Sequence, residues 1–425
     1  MATQFNAPPA STILKHALGE GFLGEDAPWA VFYDLGMLES RFERLRAAFP
    51  ESALHAVAVK AAPVTRILKA LARQGAGFEA ASKAEILLAL AAGASPHKIV
   101  FDSPAKTRRE IGRALDRGLY INADNLSELA RIGELAGSFA SGARVGIRVN
   151  PGVGAGRIAA TSVATVDSKF GVSLDVQRDA LFDAFRAYPW LTGLHVHTGS
   201  QGCGLELLTA GVRRAMDLAH EIDALLGQRR VRVIDIGGGL NVAYRPGDEA
   251  PDIATYAARL RQDVPELFGD DYQIITEFGR WMHAPCGFAA SRVEYVKPGP
   301  NAAVATIHFG ADLLTRHTYQ PDIWHHEVDV HDAAGALQEG LREPVTIAGP
   351  LCFAADVVAK DAWLPPVSEG DIVVVRDVGA YTFGMWSRYC SRPFPPIFGY
   401  RLEAGQLRFE ALHEGESPRD VAEFW

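Results

Sequence analysis

From about residue 28 to 285 the sequence alternates, eight or so times, between a short β-rich run and a helical stretch, and few folds accept that rhythm. "WAVFYDL" precedes "GMLESRFERLRAAF", where Leu38, Phe42 and Leu45 recur at helical spacing. "HAVAVK" precedes "APVTRILKALARQG", "GFEAAS" precedes "KAEILLALAAGA", and "KIVFDSP" precedes "KTRREIGRALDRG". "LYINAD" precedes "NLSELARIGELAG"; "RVGIRVNP", "TGLHVHTGSQG" and "VRVIDIGGGL" follow. Strands separated by single helices of this length predict parallel pairing, closed into a (β/α)8 barrel over residues 28–285. After about residue 285 the texture changes. "AVATIHFGADLL", "HEVDVHD", "EPVTIAGPL" and "DIVVVRDVGAY" are strands divided by Pro, Gly and Asp turns, which predicts a mostly antiparallel β domain from 286–425, completed by residues 1–27.

Such a barrel carries its functional groups at the C-terminal ends of its strands. Lys60 stands there, after the apolar run Ala56–Val59, as do Arg148, His197, the glycines Gly237, Gly238 and Gly239, and Glu277 at the end of "YQIITEFGR". A lysine in that place can simply snorkel to solvent, or it can be a Schiff-base lysine, which needs a partly desolvated amine. The neighbours favour the second reading. Three glycines after a strand make a bare-backbone loop able to cradle a phosphate, although a tight turn explains them equally well. They do not form the dinucleotide fingerprint. One phosphate and one lysine suggest pyridoxal 5'-phosphate, whose ring nitrogen needs a facing carboxylate. Glu277 supplies it, and Arg280 can serve the phosphate or a substrate carboxylate.

Composition narrows the partners. A net charge of -9 over 425 residues argues against nucleic acid or an anionic membrane surface. Four cysteines without a CxxC pair suit a reducing cytoplasm. The N-terminal "MATQFNAPPASTILKHALGEG" lacks the pattern of a signal peptide, and no apolar run approaches the ~18 residues of a membrane span.

In order, "AVKAAP", "FEAASKAE", "RVN", "SKFG", "HVHTGS", "GGG", "EFGR", "GPLC" and "GAYTF" resemble the motifs of the fold-type III pyridoxal-phosphate decarboxylases, the diaminopimelate, ornithine and arginine decarboxylases. The resemblance runs from about residue 28 to 400 and implies an alanine-racemase-like barrel plus a C-terminal β domain. It implies that Lys60 binds the cofactor, that Glu79 is an acid near it, and that Arg148 lies near its 3'-oxygen. It places His197 against the pyridine ring, Ser200 and Tyr381 on the phosphate, and Cys352 in a partner subunit's active site, where it helps protonate Cα. The implied activity is removal of the α-carboxylate of an amino acid, in a homodimer with shared active sites. Three other readings stay open: diaminopimelate decarboxylase proper, an amino-acid racemase of the same fold, or a non-catalytic homologue. Joint retention of Lys60, Glu277, His197, Cys352 and Tyr381 speaks against the last. The racemases use an opposed lysine and tyrosine, whereas "GPLC" is the decarboxylase arrangement.

Three positions depart from the family. The residue after the cysteine is acidic in relatives that bind a distal amine; here it is Phe353, unless Asp356 or Glu79 takes over that role. In "DLLTRHTYQ", Tyr319 keeps the spacing of the residues that hold a distal carboxylate, but Arg316 is displaced by one. On a strand that step turns it to the other face; in a loop it can still reach. Ala62 replaces an asparagine. His317, His325, His326 and His331 cluster in sequence without thiolates or tight pair spacing, so they read as ordinary strand and turn histidines and no metal site is expected. Joint metal ligation by His195 and His197 is not expected either. Cys203, Cys286 and Cys390 read as packing residues.

Overall fold

The computed structural model describes residues 7–135, 142–248 and 250–425, so the end of "NLSELARIGELAG" and the first six residues of the segment 1–27 lie outside the described residues. In chain order the strands are β1 Trp29–Asp34, β2 Leu54–Ala58, β3 Gly77–Ala80, β4 Ile99–Asp102, β5 Tyr120–Ala123, β6 Arg144–Asn150, β7 Val172–Ser173, β8 Leu191–His195, β9 Val233–Asp235 and β10 Gln273–Thr276. Then come β11 Gly287–Arg292, β12 Tyr295–Lys297, β13 Ala303–Thr306, β14 Val328–His331, β15 Glu343–Ala348, β16 Val357–Leu364, β17 Ile372–Val375, β18 Ile397–Glu403 and β19 Gln406–His413. The chain divides into two compact units, one of Arg41–Val242 with Glu249–Met282, the other of Met1–Ser40, Ala243–Asp248 and His283–Trp425.

The first unit is a closed parallel barrel in the order β5-β4-β3-β2-β10-β9-β8-β6, with β5 paired back to β6; the two-residue β7 pairs with β6. Strands such as β2 and β4 are buried at every residue. That is why they read as unbroken apolar runs: helices cover the outside and side chains fill the inside. The N-terminal floor is packed by Leu54, Ala56, Val100, Tyr120, Val233 and Ile275. The Tyr120 ring fits because Gly146 and Gly193 stand beside it; a Cβ on Gly193 would lie 1.9 Å from its hydroxyl. With the floor closed by apolar groups, the polar inward residues collect at the opposite mouth.

The second unit holds a six-stranded sheet, β14-β17-β11-β1-β18-β19, and a four-stranded one, β12-β13-β15-β16. The helix Ala10–Gly19 covers the larger sheet through Ile13, Leu14 and Ala17, which pack with Phe32, Phe288, Val374 and Tyr400. One expectation needs correcting. "WAVFYDL" reads as a barrel strand, but β1 is a central strand of the six-stranded sheet, antiparallel to β11 and parallel to β18. All six of its residues are buried. A central strand of either sheet demands the same apolar run, so composition alone does not assign it.

Candidate active site

At the end of β2 the chain tightens into one 3-10 turn, Val59–Ala61, which sets Lys60 just beyond the buried strand. Its Nζ lies 2.5 Å from Glu79 Oε2, on the neighbouring strand β3. Glu79 has no exposed surface. Burial pushes its carboxyl above the ordinary range, Asp102 adds to that, and the Lys60 ammonium opposes it. A charge-assisted pair of this kind holds the amine at the mouth of the barrel.

Behind this pair lies a buried polar network. His195, the last residue of β8, has Nε2 3.3 Å from Asp102 Oδ2 at the end of β4 and Nδ1 3.2 Å from Asp235 Oδ2 at the end of β9. Asn122 on β5 donates to Asp235 Oδ2 at 2.9 Å. Arg148 on β6 places Nη1 3.4 Å from Asp102 Oδ2, and its guanidinium lies 4.5 Å from the centre of the Phe170 ring in "SKFG". Burial alone would lower the imidazole, but Asp235, Glu277 and Asp102 raise it well above its usual value. Burial likewise works against an ionised Asp102, and His195 and Arg148 reverse it, holding the carboxyl well below its usual range.

The glycine loop closes against this network. Gly237 (φ 63°) donates its N–H to Asp235 Oδ1 at 3.0 Å, and Gly239 has φ 106°, a region that favours glycine. A Cβ on Gly238 would lie 2.5 Å from the Glu277 carbonyl, and one on Gly237 2.6 Å from His197 Nδ1. The loop must therefore be bare. Gly238 N–H donates to His197 Nδ1 at 3.2 Å. Burial, with Arg148, His195 and Lys60 nearby, keeps the His197 ring well below its ordinary value and hence neutral. Arg280, buried in the turn after β10, donates through Nε to Ser200 Oγ at 3.4 Å. Glu277 is buried, and its Oε1 has no hydrogen-bond partner among the described residues.

These donors fit pyridoxal phosphate. The side-chain-free loop Gly237–Gly239, whose first two amides are held by Asp235 and His197, leaves room for a phosphate beside the Ser200 hydroxyl and the Arg280 guanidinium; Lys60 suits the aldehyde carbon; the unmet Glu277 oxygen suits a protonated ring nitrogen. Comparison with known proteins agrees. The model of the pyridoxal-dependent decarboxylases, pyridoxal binding domain, matches residues 35–284. The chain belongs to this family. It is 32% identical to the diaminopimelate decarboxylase of Campylobacter jejuni over 88% of this chain and 91% of that protein. It is 35% identical to that of Pseudomonas aeruginosa over 79% and 78%. The solved diaminopimelate decarboxylase of Helicobacter pylori, complexed with L-lysine, superposes with a TM-score of 0.84 at 28% identity, covering 96% of this chain and 98% of that one. The lysine/ornithine decarboxylase of Vibrio vulnificus shares the fold, with a TM-score of 0.75 at 21% identity over 91% and 96%. This pyridoxal-dependent decarboxylase is a carbon–carbon lyase that uses pyridoxal phosphate on an amino acid, and none of its described helices is long and apolar enough to cross a membrane.

The decarboxylase's second unit holds the other expected residues. Cys352 is exposed, and Tyr389 Oη donates to its carbonyl at 3.5 Å. "TRHTY" is neither strand nor loop but a helical turn, Thr315–Tyr319, which puts positions 316 and 319 on neighbouring ridges. Arg316 packs its guanidinium 5.1 Å from the ring centres of both Trp324 and Tyr381, and Tyr319 stacks on Phe353 with centroids 5.2 Å apart. Tyr381 has φ 57°, uncommon for a residue with a side chain. Asp356 is buried, and its oxygens accept from the N–H groups of Ala311 (2.6 Å) and Leu351 (2.7 Å), bonds that brace the loop. Cys390 departs from the packing role: it is exposed, with φ 56°. Cys203 and Cys286 are buried.

His317 Nε2 donates to Val358 O, His326 Nδ1 to Arg376 O, His331 Nδ1 to Gly335 O, and His325 pairs with Glu327. The sequence reading passes over Asp102, Asn122, His195 and Asp235 as site residues. Their signal is present: each is a polar residue at or near the C-terminal end of a barrel strand, the criterion that selects Lys60.

Proposed function

We propose that this decarboxylase removes the α-carboxylate of an amino acid whose side chain does not end in an ammonium group, in a homodimer whose active sites are shared. The observation that carries the reading is the Tyr319–Phe353 stack, at the position where relatives place an acid, together with the commitment of Asp356 to backbone amides. Glu79, the other acid in reach of that role, is already bound to Lys60. A distal ammonium meeting a phenyl ring instead of a carboxylate forfeits a charge-assisted bond of roughly 1.5–3 kcal/mol. Cation–π attraction returns only about 0.5–2 kcal/mol of that.

Pyridoxal phosphate, when bound, supplies the electron sink for the departing carboxylate. The chain's own groups do the rest. Lys60 holds the aldehyde carbon and takes up or returns its proton at Nζ. Glu277 would hold a proton at the ring nitrogen. Gly237, Gly238, Gly239, Ser200, Arg280 and Tyr381 would hold the phosphate, neutral His197 the ring, and Arg148 its 3'-oxygen. Cys352, from the second chain, delivers a proton to Cα. Arg316 and Tyr319 orient the far end of the substrate, anionic or apolar.

Diaminopimelate decarboxylase proper is the second reading, favoured by the names of the relatives and by the lysine bound in the Helicobacter pylori structure. Incubating the purified holoenzyme with a panel of L- and D-amino acids and detecting the amines by mass decides between them. A product lacking a distal amine supports the first reading; lysine from diaminopimelate supports the second.

A further inference from the structure

Inside the barrel mouth, one imidazole lies among three acids, Asp102, Asp235 and Glu277. His195 has no exposed surface, and its two nitrogens face Asp102 from β4 and Asp235 from β9 at ion-pair distances of 3.3 and 3.2 Å, without the geometry of a hydrogen bond. An oxygen of Glu277, a nitrogen of His195 and an oxygen of Asp102 lie within 4.8 Å of one another. Both carboxylates of the clamp are anchored elsewhere, Asp102 by Arg148 and Asp235 by Asn122 and the Gly237 N–H. The ring is thus fixed in place from β4, β5, β6, β9 and the glycine loop.

We propose that His195 is a positioning residue for the cofactor's ring nitrogen: clamped as an imidazolium between Asp102 and Asp235, it keeps the neighbouring Glu277 a carboxylate. The need is physical. Glu277 is buried with Oε1 unmet, and burial, Asp235, Glu79 and Asp102 all favour its neutral form, while His195 opposes them. A neutral acid there would donate to an unprotonated ring nitrogen, and the ring would then be a poorer electron sink. At separations below about 5 Å in a buried site, one positive charge shifts such a balance by at least roughly tenfold. The inference rests on the assignment of Glu277 to the ring nitrogen.

The test compares two ligands of the full-length chain stripped of cofactor: pyridoxal phosphate and its deaza analogue, in which a C–H replaces the ring nitrogen. Dissociation constants are measured near neutral pH for the unmodified chain, Glu277→Gln and His195→Gln. The unmodified chain should prefer pyridoxal phosphate, and Glu277→Gln should abolish the preference. His195→Gln should reduce it roughly tenfold or more while leaving affinity for the deaza analogue unchanged. If His195→Gln keeps the full preference, or weakens both ligands equally, His195 is a structural residue only and the inference is overturned. If Glu277→Gln keeps the preference, the assignment of Glu277 falls first and takes this inference with it. Should His195→Gln not fold, a neutron structure of the unmodified protein decides: two deuterons on the His195 ring support the inference, one overturns it.

Discussion

At the mouth of the barrel Glu79, Asp102 and Asp235 are buried and paired with Lys60, Arg148 and His195, and Glu277 is buried beside them. Around Cys352 in the second unit the surface is aromatic and open instead: Tyr319 and Tyr389 are exposed, Phe353 stacks on Tyr319, and the acid nearest in sequence, Asp356, faces the backbone. The first region suits steps that every substrate of such an enzyme shares, because a dense buried network tolerates little change without an unpaired charge. The second is held by ring stacking and by bonds to backbone amides. One residue there, Phe353, can alter which side chain is accepted while the chemistry stays the same.

The sharpest way to break this contrast is Lys60→Ala, which should lower turnover on the order of 10³-fold or more. Borohydride treatment of the unmodified holoenzyme should fix the cofactor to the peptide that contains Lys60. Labelling elsewhere would end the assignment of the barrel mouth as the cofactor site. Cys352→Ala should cost about a hundredfold, as expected for loss of a proton donor. Mixing it with Lys60→Ala in equal amounts should restore about a quarter of the unmodified activity, since half of the random dimers carry one intact site out of two. No recovery in verified heterodimers would mean that each chain builds its own site.

A smaller effect concerns the barrel wall. His55 on β2 is buried, with Nδ1 2.9 Å from Thr276 Oγ1 on β10, and burial lowers it to about 4. Its folded value is depressed relative to the unfolded one, so its contribution is present above the ordinary histidine value of 6.5 and is lost as pH falls toward 4. The loss amounts to on the order of 3 kcal/mol. Denaturant midpoints of His55→Gln and the unmodified chain should converge by that margin between pH 7 and 4; parallel curves would show that His55 is not buried neutral.

The two regions were not equally legible in the sequence. The barrel follows from its rhythm, and Lys60, Arg148, His197 and Glu277 follow from one rule about strand ends. The same rule reaches Asp102, His195 and Asp235, yet "FDSP", "HVH" and "VIDI" show single polar residues whose pairing exists only once β4, β8 and β9 are neighbours. β1 was hidden for another reason: its six buried residues suit the centre of either sheet. Around "DLLTRHTYQ" the question was whether a one-residue shift turns Arg316 away, and periodicity over five residues cannot separate a helical turn from a strand. The side chains of Tyr381 and Phe353 that receive Arg316 and Tyr319 are remote in sequence.

The ratio of kcat/KM for distal-amine and distal-neutral amino acids, measured in the unmodified enzyme and in Phe353→Asp, tests the central claim most directly. The unmodified enzyme should favour the substrate without a distal amine, and Phe353→Asp should move the ratio toward lysine, ornithine or diaminopimelate by roughly 10- to 100-fold, the worth of one charge-assisted bond. An unmodified enzyme that already prefers diaminopimelate or lysine, with a ratio that Phe353→Asp leaves in place, would contradict the account.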